Sequence, residues 1–409
     1  MGYSFDEIIP RKNTNSLKYD FADERGGAED ALPLWVADMD FAAPPCVTDA
    51  LARLARHGIF GYSEVKADYF DLLYQWFSVR FGFEPKAGWL VKTPGVVFAI
   101  AAAVRAFTEK GDPVLIQRPA YYPFSEVIHV NGRRLINNPL VYQGQGAYRI
   151  DFADFERKIA ENNVKLFILC SPHNPVGRVW TREELAALGD ICLRHGCLVV
   201  SDEIHCDFIY PGHTHTVLAS LKPEFLNNTI TCTAPSKTFN LAGLQISNIF
   251  IADESLRVRF KHEIERTGFS QLNGAGLTAC MAAYRGGGPW LKDLNQYLAD
   301  NLEFLRTFLF GKIPGIRMVE PEGTYLVWLD CRGLNLPQPE LDSFMLREAK
   351  LWLDSGTIFG PEGEGFMRIN IACPRKVLDR ALGQLLHAVR THFQLIKGEL
   401  MHENPESKS

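Results

Sequence analysis

The chain predicts an α/β fold: a large domain on a mainly parallel β-sheet between helices, then a smaller α+β domain. Two observations carry this. Between residues 89 and 251, short, fully apolar runs alternate with helical patterns, the texture of strands covered on both faces. After Arg285-Gly-Gly-Gly-Pro289 the rhythm changes to long helical runs separated by single strands. A length of 409 residues, 46% of them hydrophobic, is enough for two cores.

Taken in order, residues 1–45 read as an irregular N-terminal segment packing with the small domain, ending in the apolar run Leu32–Phe41. Pro44 and Pro45 open a helical pattern through Val47, Ala50, Leu51 and Leu54, and Asp68–Phe81 is a second helix. The large domain, 46–288, has strand-like runs at Val114–Gln117, Leu166–Cys170, Leu198–Ser201, Thr229–Thr233 and Ile246–Ile251. Helical patterns at Phe98–Thr108 and Glu183–Arg194 lie between them, the second preceded by a capping-box pair, Thr181 and Glu184. The small domain, 289–395, reads as helix Trp290–Phe310, strand Thr324–Leu329, a helix around Leu341–Leu353, strand Phe366–Ile371 and helix Val377–Phe393. Residues 396–409 read as a mobile polar tail.

Composition removes several classes of function. A net charge of −5 with no basic cluster disfavours nucleic acid and anionic membrane as partners. The sequence lacks a run of 18 apolar residues, and its start lacks the pattern of a signal peptide. The nine cysteines are scattered without framework spacing, which points to reduced thiols and a cytoplasmic protein. His205, Asp207, His213 and His215 lack a recognised ligand spacing, so no metal is expected.

In sheets of this kind ligands bind beyond the carboxyl ends of the strands. Four such ends carry chemically capable residues: Arg118–Pro123 with Tyr121, Ser171–Gly177 with Asn174, Asp202–His205, and Ser236-Lys237. Taken by itself, Lys237 is open to three readings: a structural ion pair, a phosphate ligand, or a Schiff-base amine. The company it keeps suits pyridoxal phosphate (PLP). Asp202 suits a protonated ring nitrogen, and the Tyr121 ring suits stacking on a pyridine. Thr93–Val97 opens a helix whose N–H groups suit a phosphate, with the hydroxyls of Thr233 and Ser236 as further donors.

Asn174-Pro-Val-Gly177, Ser201-Asp-Glu-Ile-His205 and Ser236-Lys237, in this order, resemble the motifs of class I/II aminotransferase-like enzymes of PLP fold type I. Trp35–Phe41, Gly58–Ser63, Ser171–Pro175 and Ile369–Pro374 further resemble the MalY/PatB branch, carbon–sulfur β-lyases acting on cystathionine and cysteine S-conjugates. The resemblance spans about residues 5–389. It implies a seven-stranded-type sheet and PLP held covalently by Lys237, which also moves protons. Asp202 would hold the ring nitrogen, Asn174 the phenolic oxygen, Tyr121 the ring face, and Gly95, Val96, Val97 and Ser236 the phosphate. His205 belongs to the cofactor surroundings. The resemblance also implies a homodimer with shared sites, in which Tyr62 reaches the phosphate of the neighbouring subunit. Arg368 would clamp the carboxylate of an amino-acid thioether substrate, with Tyr121 and Tyr62 beside it.

The chain departs from the wider pattern in having Gln245 where many relatives carry an arginine, and Ala234 where many carry a serine. Phosphate binding must then lean on the helix start, Ser236 and Tyr62. The alternatives to a lyase are an aminotransferase using the same parts, or a lyase that also binds a transcription regulator.

Overall fold

A computed structural model describes residues 2–144 and 147–402. The chain forms two compact units. Among the described residues, the first takes in 2–3, 42–295 and 321–324, and the second takes in 4–41, 296–320 and 325–402.

The first unit is built on seven strands: β1 (Leu90–Thr93), β2 (Pro113–Ile116), β3 (Arg134–Asn137), β4 (Leu166–Cys170), β5 (Leu198–Asp202), β6 (Thr229–Thr233) and β7 (Ser247–Ile251). Their spatial order is β1-β7-β6-β5-β4-β2-β3, and only β7 runs antiparallel to its neighbours. Every residue of β2, β4, β5, β6 and β7 is buried, which explains runs such as Leu-Phe-Ile-Leu-Cys with no polar alternation.

Helices α1 (Pro45–His57), α2 (Ala67–Phe81), α3 (Val96–Phe107), α4 (Arg182–Arg194), α5 (Glu254–Glu265) and α6 (Gly274–Gly286) cover the sheet or pack on its helices. Helix α3 is apolar nearly all round because it is enclosed. Ile100, Ala103 and Val104 share one core with Ile168, Val200, Ile230 and Ile249 of the sheet and with Phe260 and Ile264 of α5. Each large aliphatic side chain buried there contributes about 1.5–3 kcal/mol. The Thr181 hydroxyl accepts from the Glu184 N–H and the Glu184 carboxylate accepts from the Thr181 N–H, so the expected capping box starts α4.

The second unit holds a four-stranded antiparallel sheet, β8 (Arg317–Met318), β9 (Leu326–Asp330), β10 (Asp354–Ser355) and β11 (Phe366–Asn370), in the order β8-β9-β11-β10. Helix α7 (Gly288–Lys312) begins in the first unit and continues into the second, and α8 (Arg375–His402) is the last element. The expected helix around Leu341–Leu353 is broken up. Gln338–Ser343 is helical, Phe344–Glu348 is a wider π-type turn, and Leu351–Trp352 is a strand paired in parallel with Leu32–Pro33. Lys350, at φ +53°, turns the chain out of the helix, and its partner strand lies more than 300 residues away in sequence. Of the expected polar tail, residues 396–402 have helical backbone in α8, and 403–409 lie outside the described residues.

Of the nine cysteines, none forms a disulfide; eight are buried and Cys46 is half-buried. Among the described residues no helix is long and apolar enough to cross a membrane, and no cluster of His, Cys, Asp and Glu has the makings of a metal site.

Candidate active site

Strand register brings the sequence motifs to one sheet edge. Cys170 of β4 faces Asp202 of β5, and Asp202 faces Cys232 of β6, so these three carboxyl ends are level. Asn174 lies four residues beyond β4 and Lys237 four beyond β6, in the short helical turn Pro235–Thr238 that also carries Ser236. The reversed strand β7 sets Asn248 against Thr233 and Ser247 against Thr93. The end of β1 therefore reaches the same edge, and Gly95 at the start of α3 with it.

The loops at this edge are tied together. The His173 Nε2 lies 2.8 Å from the Pro119 carbonyl, linking the Asn174 loop to the turn that carries Tyr121. Burial holds the His173 imidazole near pKa 4, hence neutral. Gly177 closes the Asn174 loop at φ +75°, and a Cβ there would meet the Pro321 Cβ at 2.8 Å. Only glycine fits that approach.

Asp202 is buried at 4% exposure, and its Oδ1 accepts from the Ile204 N–H at 3.2 Å. Burial is the largest influence and pushes its carboxyl up to about 7, while the Ile204 bond and the Lys237 charge pull it down. This is a carboxylate whose ionised form calls for a cation beside it. At the start of α3, no side chain caps the helix, and a Cβ added at Gly95 would meet nothing within 4 Å. Uncapped N–H groups facing open space suit an oxyanion. A buried acid, an amine at the next strand end and an open helix start fit a phosphorylated pyridine aldehyde.

The remaining candidates are distributed less evenly. Asn174 and His205 are buried, at 2% and 4% exposure, while Tyr121, Ser236 and Lys237 are half-buried. Val96 is buried and Val97 exposed, at the first turn of α3. Tyr62 stands 98% exposed, beside exposed Ile59 and Phe60. The Thr233 hydroxyl is not a spare donor, contrary to expectation: it donates to the Asn248 carbonyl at 2.7 Å across the β6–β7 pair.

Two networks behind the edge escape sequence reading. The Asp207 carboxylate accepts from the Arg80 Nε at 2.8 Å and from the Thr238 hydroxyl at 2.8 Å, bracing the residue after Lys237. Beside Asp202, the Glu203 carboxylate accepts from Ser201 at 2.8 Å and lies 2.9 Å from the His215 Nε2. Arg80 and Asp207 are separated by 127 positions, so no local spacing signals the pair. Only the position of Thr238 directly after the lysine offered a hint.

In the second unit Arg368 lies on β11, 2% exposed, opposite Trp328 of β9 and Asp354 of β10. Its guanidinium donates to the Asp354 carboxylate and, at 2.8 Å, to the Trp35 carbonyl. Burial pushes the Asp354 carboxyl up, and Arg368 opposes the rise. The Asn370 amide donates to the carbonyls of Val36 and Asp38 at 2.7 and 2.6 Å, and the Asp40 N–H donates to the Ala372 carbonyl. The segments Trp35–Phe41 and Ile369–Pro374, far apart in sequence, are thus stitched together around Arg368.

Sheet order, the buried acid and the lysine at neighbouring strand ends define a class: α/β enzymes that hold a cofactor along one sheet edge. The chain belongs to the class I and II aminotransferase family, which it matches over residues 29–385. Within that family it is 45% identical to cystathionine beta-lyase PatB of Bacillus subtilis (strain 168), over 94% of this chain and 100% of the relative. It is 34% identical to protein MalY of Escherichia coli (strain K12), over 95% of this chain and 99% of that one. Among solved structures, PLP-containing cystalysin from Treponema denticola superposes with a TM-score of 0.92 at 38% identity, covering 96% of this chain and 100% of that one.

Proposed function

We propose that the protein is a PLP-dependent carbon–sulfur β-lyase that converts L-cystathionine or a cysteine S-conjugate, with water, to a thiol, pyruvate and ammonia. One observation supports it most: the chain is 45% identical, over 94% of its length, to a relative named cystathionine beta-lyase, and Asn174, Asp202 and Lys237 lie at or just after the level ends of neighbouring strands. When bound, PLP supplies an aldehyde for an amine and an electron sink for charge at Cα.

The chain supplies the rest. Lys237 is the residue that would hold the cofactor, through its Nζ. The same Nζ would serve as the base for the substrate Cα proton. Asp202 would favour a protonated ring nitrogen, Asn174 would donate to the ring oxygen, and Tyr121 would cover the ring face. His205 belongs to the same surroundings. The N–H groups of Gly95, Val96 and Val97 and the Ser236 hydroxyl would receive the phosphate. Arg368 binds the substrate carboxylate, a task suited to a fork of paired donors. The Cβ–S bond would break with its electrons on sulfur, and the thiolate would take a proton from water or a protonated lysine to leave as the thiol.

Incubation with L-cystathionine yields pyruvate and a thiol with no keto acid added. A requirement for 2-oxoglutarate, with glutamate as product, identifies an aminotransferase instead. The working form is a cytoplasmic homodimer in which Tyr62 completes the partner's phosphate site. Exposed Ile59, Phe60 and Tyr62, at 70%, 75% and 98%, support such a contact. Light scattering gives twice the chain mass, and Tyr62→Ala weakens PLP binding about tenfold or more. A monomeric wild type that retains full activity removes the shared-site reading.

A further inference from the structure

A cavity of about 390 Å³ opens in the first unit between the C-terminal end of α2, the start of α4 and the 212–216 loop. That is the size range of small-ligand sites. Its lining includes Arg80, Arg182, His213 and His215, with the hydroxyl residues Thr181 and Thr216, and no carboxylate residue is among the lining. Neighbouring acids are occupied behind it. Asp207 holds Arg80, Glu203 holds His215, and Glu322 lies 4.0 Å from His213. Among the described residues Arg182 makes no ion pair. The formally charged residues in the lining, Arg80 and Arg182, are both cationic, and a concave wall of that kind attracts anions.

We propose that this cavity binds a small oxyanion, a phosphate or sulfate group, and that its occupancy is felt at the lysine turn. The route is short. Arg80 lines the cavity and bonds Asp207, whose second oxygen holds the Thr238 hydroxyl, next to Lys237. His215 lines the other side and bonds Glu203, next to Asp202. An anion drawing on Arg80 competes with Asp207 for the same guanidinium, so binding and the setting of Thr238 are linked. The binding half stands on the cavity alone; the coupling half also rests on Lys237 being the reacting amine.

Trp76 reports on the site, because the Arg80 guanidinium lies 4.8 Å from its ring centroid. Inorganic phosphate titrated into the PLP-loaded protein, at ionic strength held constant with chloride, changes tryptophan fluorescence saturably, and Trp76→Phe removes the change. Arg182→Ala with His213→Ala, both on exposed side chains, raises the midpoint about tenfold or more, while Arg182→Lys largely restores it. A phosphate monoester run in parallel separates the two sources: a lower midpoint than for inorganic phosphate identifies an organic ligand, a higher one the free ion. No saturable change, or an unaltered midpoint in the double variant, overturns the site. The initial rate of thiol release responds to phosphate with the same midpoint as fluorescence. Fluorescence saturation with no change in rate overturns the coupling and leaves the lyase reading intact, since that is decided by products.

Discussion

Lys237→Ala lowers kcat by roughly 10³-fold or more, the combined loss of a covalent amine and a positioned proton acceptor. The yellow absorbance of the PLP-loaded protein disappears with it. Lys237→Arg separates the three roles open to this lysine. Arginine keeps the positive charge, so a structural ion pair or a phosphate contact survives the change with most of the activity. A Schiff-base amine does not, and the two variants lose equally. Lys237 is half-buried in a four-residue turn, so neither change removes core packing. Far-ultraviolet circular dichroism remains that of wild type. Substantial turnover by Lys237→Arg rules out the assignment.

Asp202→Asn lowers kcat/KM by roughly two to three orders of magnitude, the scale of about 3–5 kcal/mol for removing one member of a buried ion pair. The stability of the cofactor-free protein moves the other way. Burial puts the Asp202 carboxyl at about 7 in the folded chain, against an ordinary 3.8. Between those values the folded state holds a proton that the unfolded state has released. Stability therefore falls as pH rises from about 4 to about 7, by an order of 4 kcal/mol, and stays reduced above. Asparagine carries no such penalty. Without cofactor, Asp202→Asn melts above wild type near pH 8 and close to it near pH 4. With PLP bound, wild type melts higher, because a protonated ring nitrogen offsets the cost of burying the carboxylate. Thermal melts with and without PLP check both halves. A cofactor-free variant no more stable than wild type near pH 8 contradicts the account.

Much of this edge was legible in the chain because buried parallel strands announce themselves. Leu166–Cys170 and Thr229–Thr233 are strands over the same residues the apolar runs mark, and Thr181 starts its helix as expected. Asn174, Asp202 and Lys237 stand at or just beyond the carboxyl ends of such runs, a placement that needs no tertiary knowledge to recognise. The features that were not legible depended on partners remote in sequence. Leu351–Trp352 looks like the end of a helix until Leu32–Pro33 supplies the neighbouring strand. The Thr233 hydroxyl looks available until β7 supplies the Asn248 carbonyl. Arg80, at the exposed end of a helix, carries no mark of the aspartate it holds. Hydrophobic period reports burial; it does not report which buried group a polar side chain meets.

The thiols bear on what the enzyme must tolerate. Each turnover releases a thiol into a solution that also contains disulfides, so mixed-disulfide capping threatens any protein cysteine able to ionise. Exchange proceeds through the thiolate and requires access. Burial pushes the thiols of Cys170, Cys192, Cys206, Cys232, Cys280, Cys331 and Cys373 up, and it raises half-buried Cys46 as well. The raised values disfavour the thiolate in all eight, and burial also puts every one but Cys46 out of reach. Eight of the nine cysteines are buried, so packing keeps those thiols away from the product the enzyme releases.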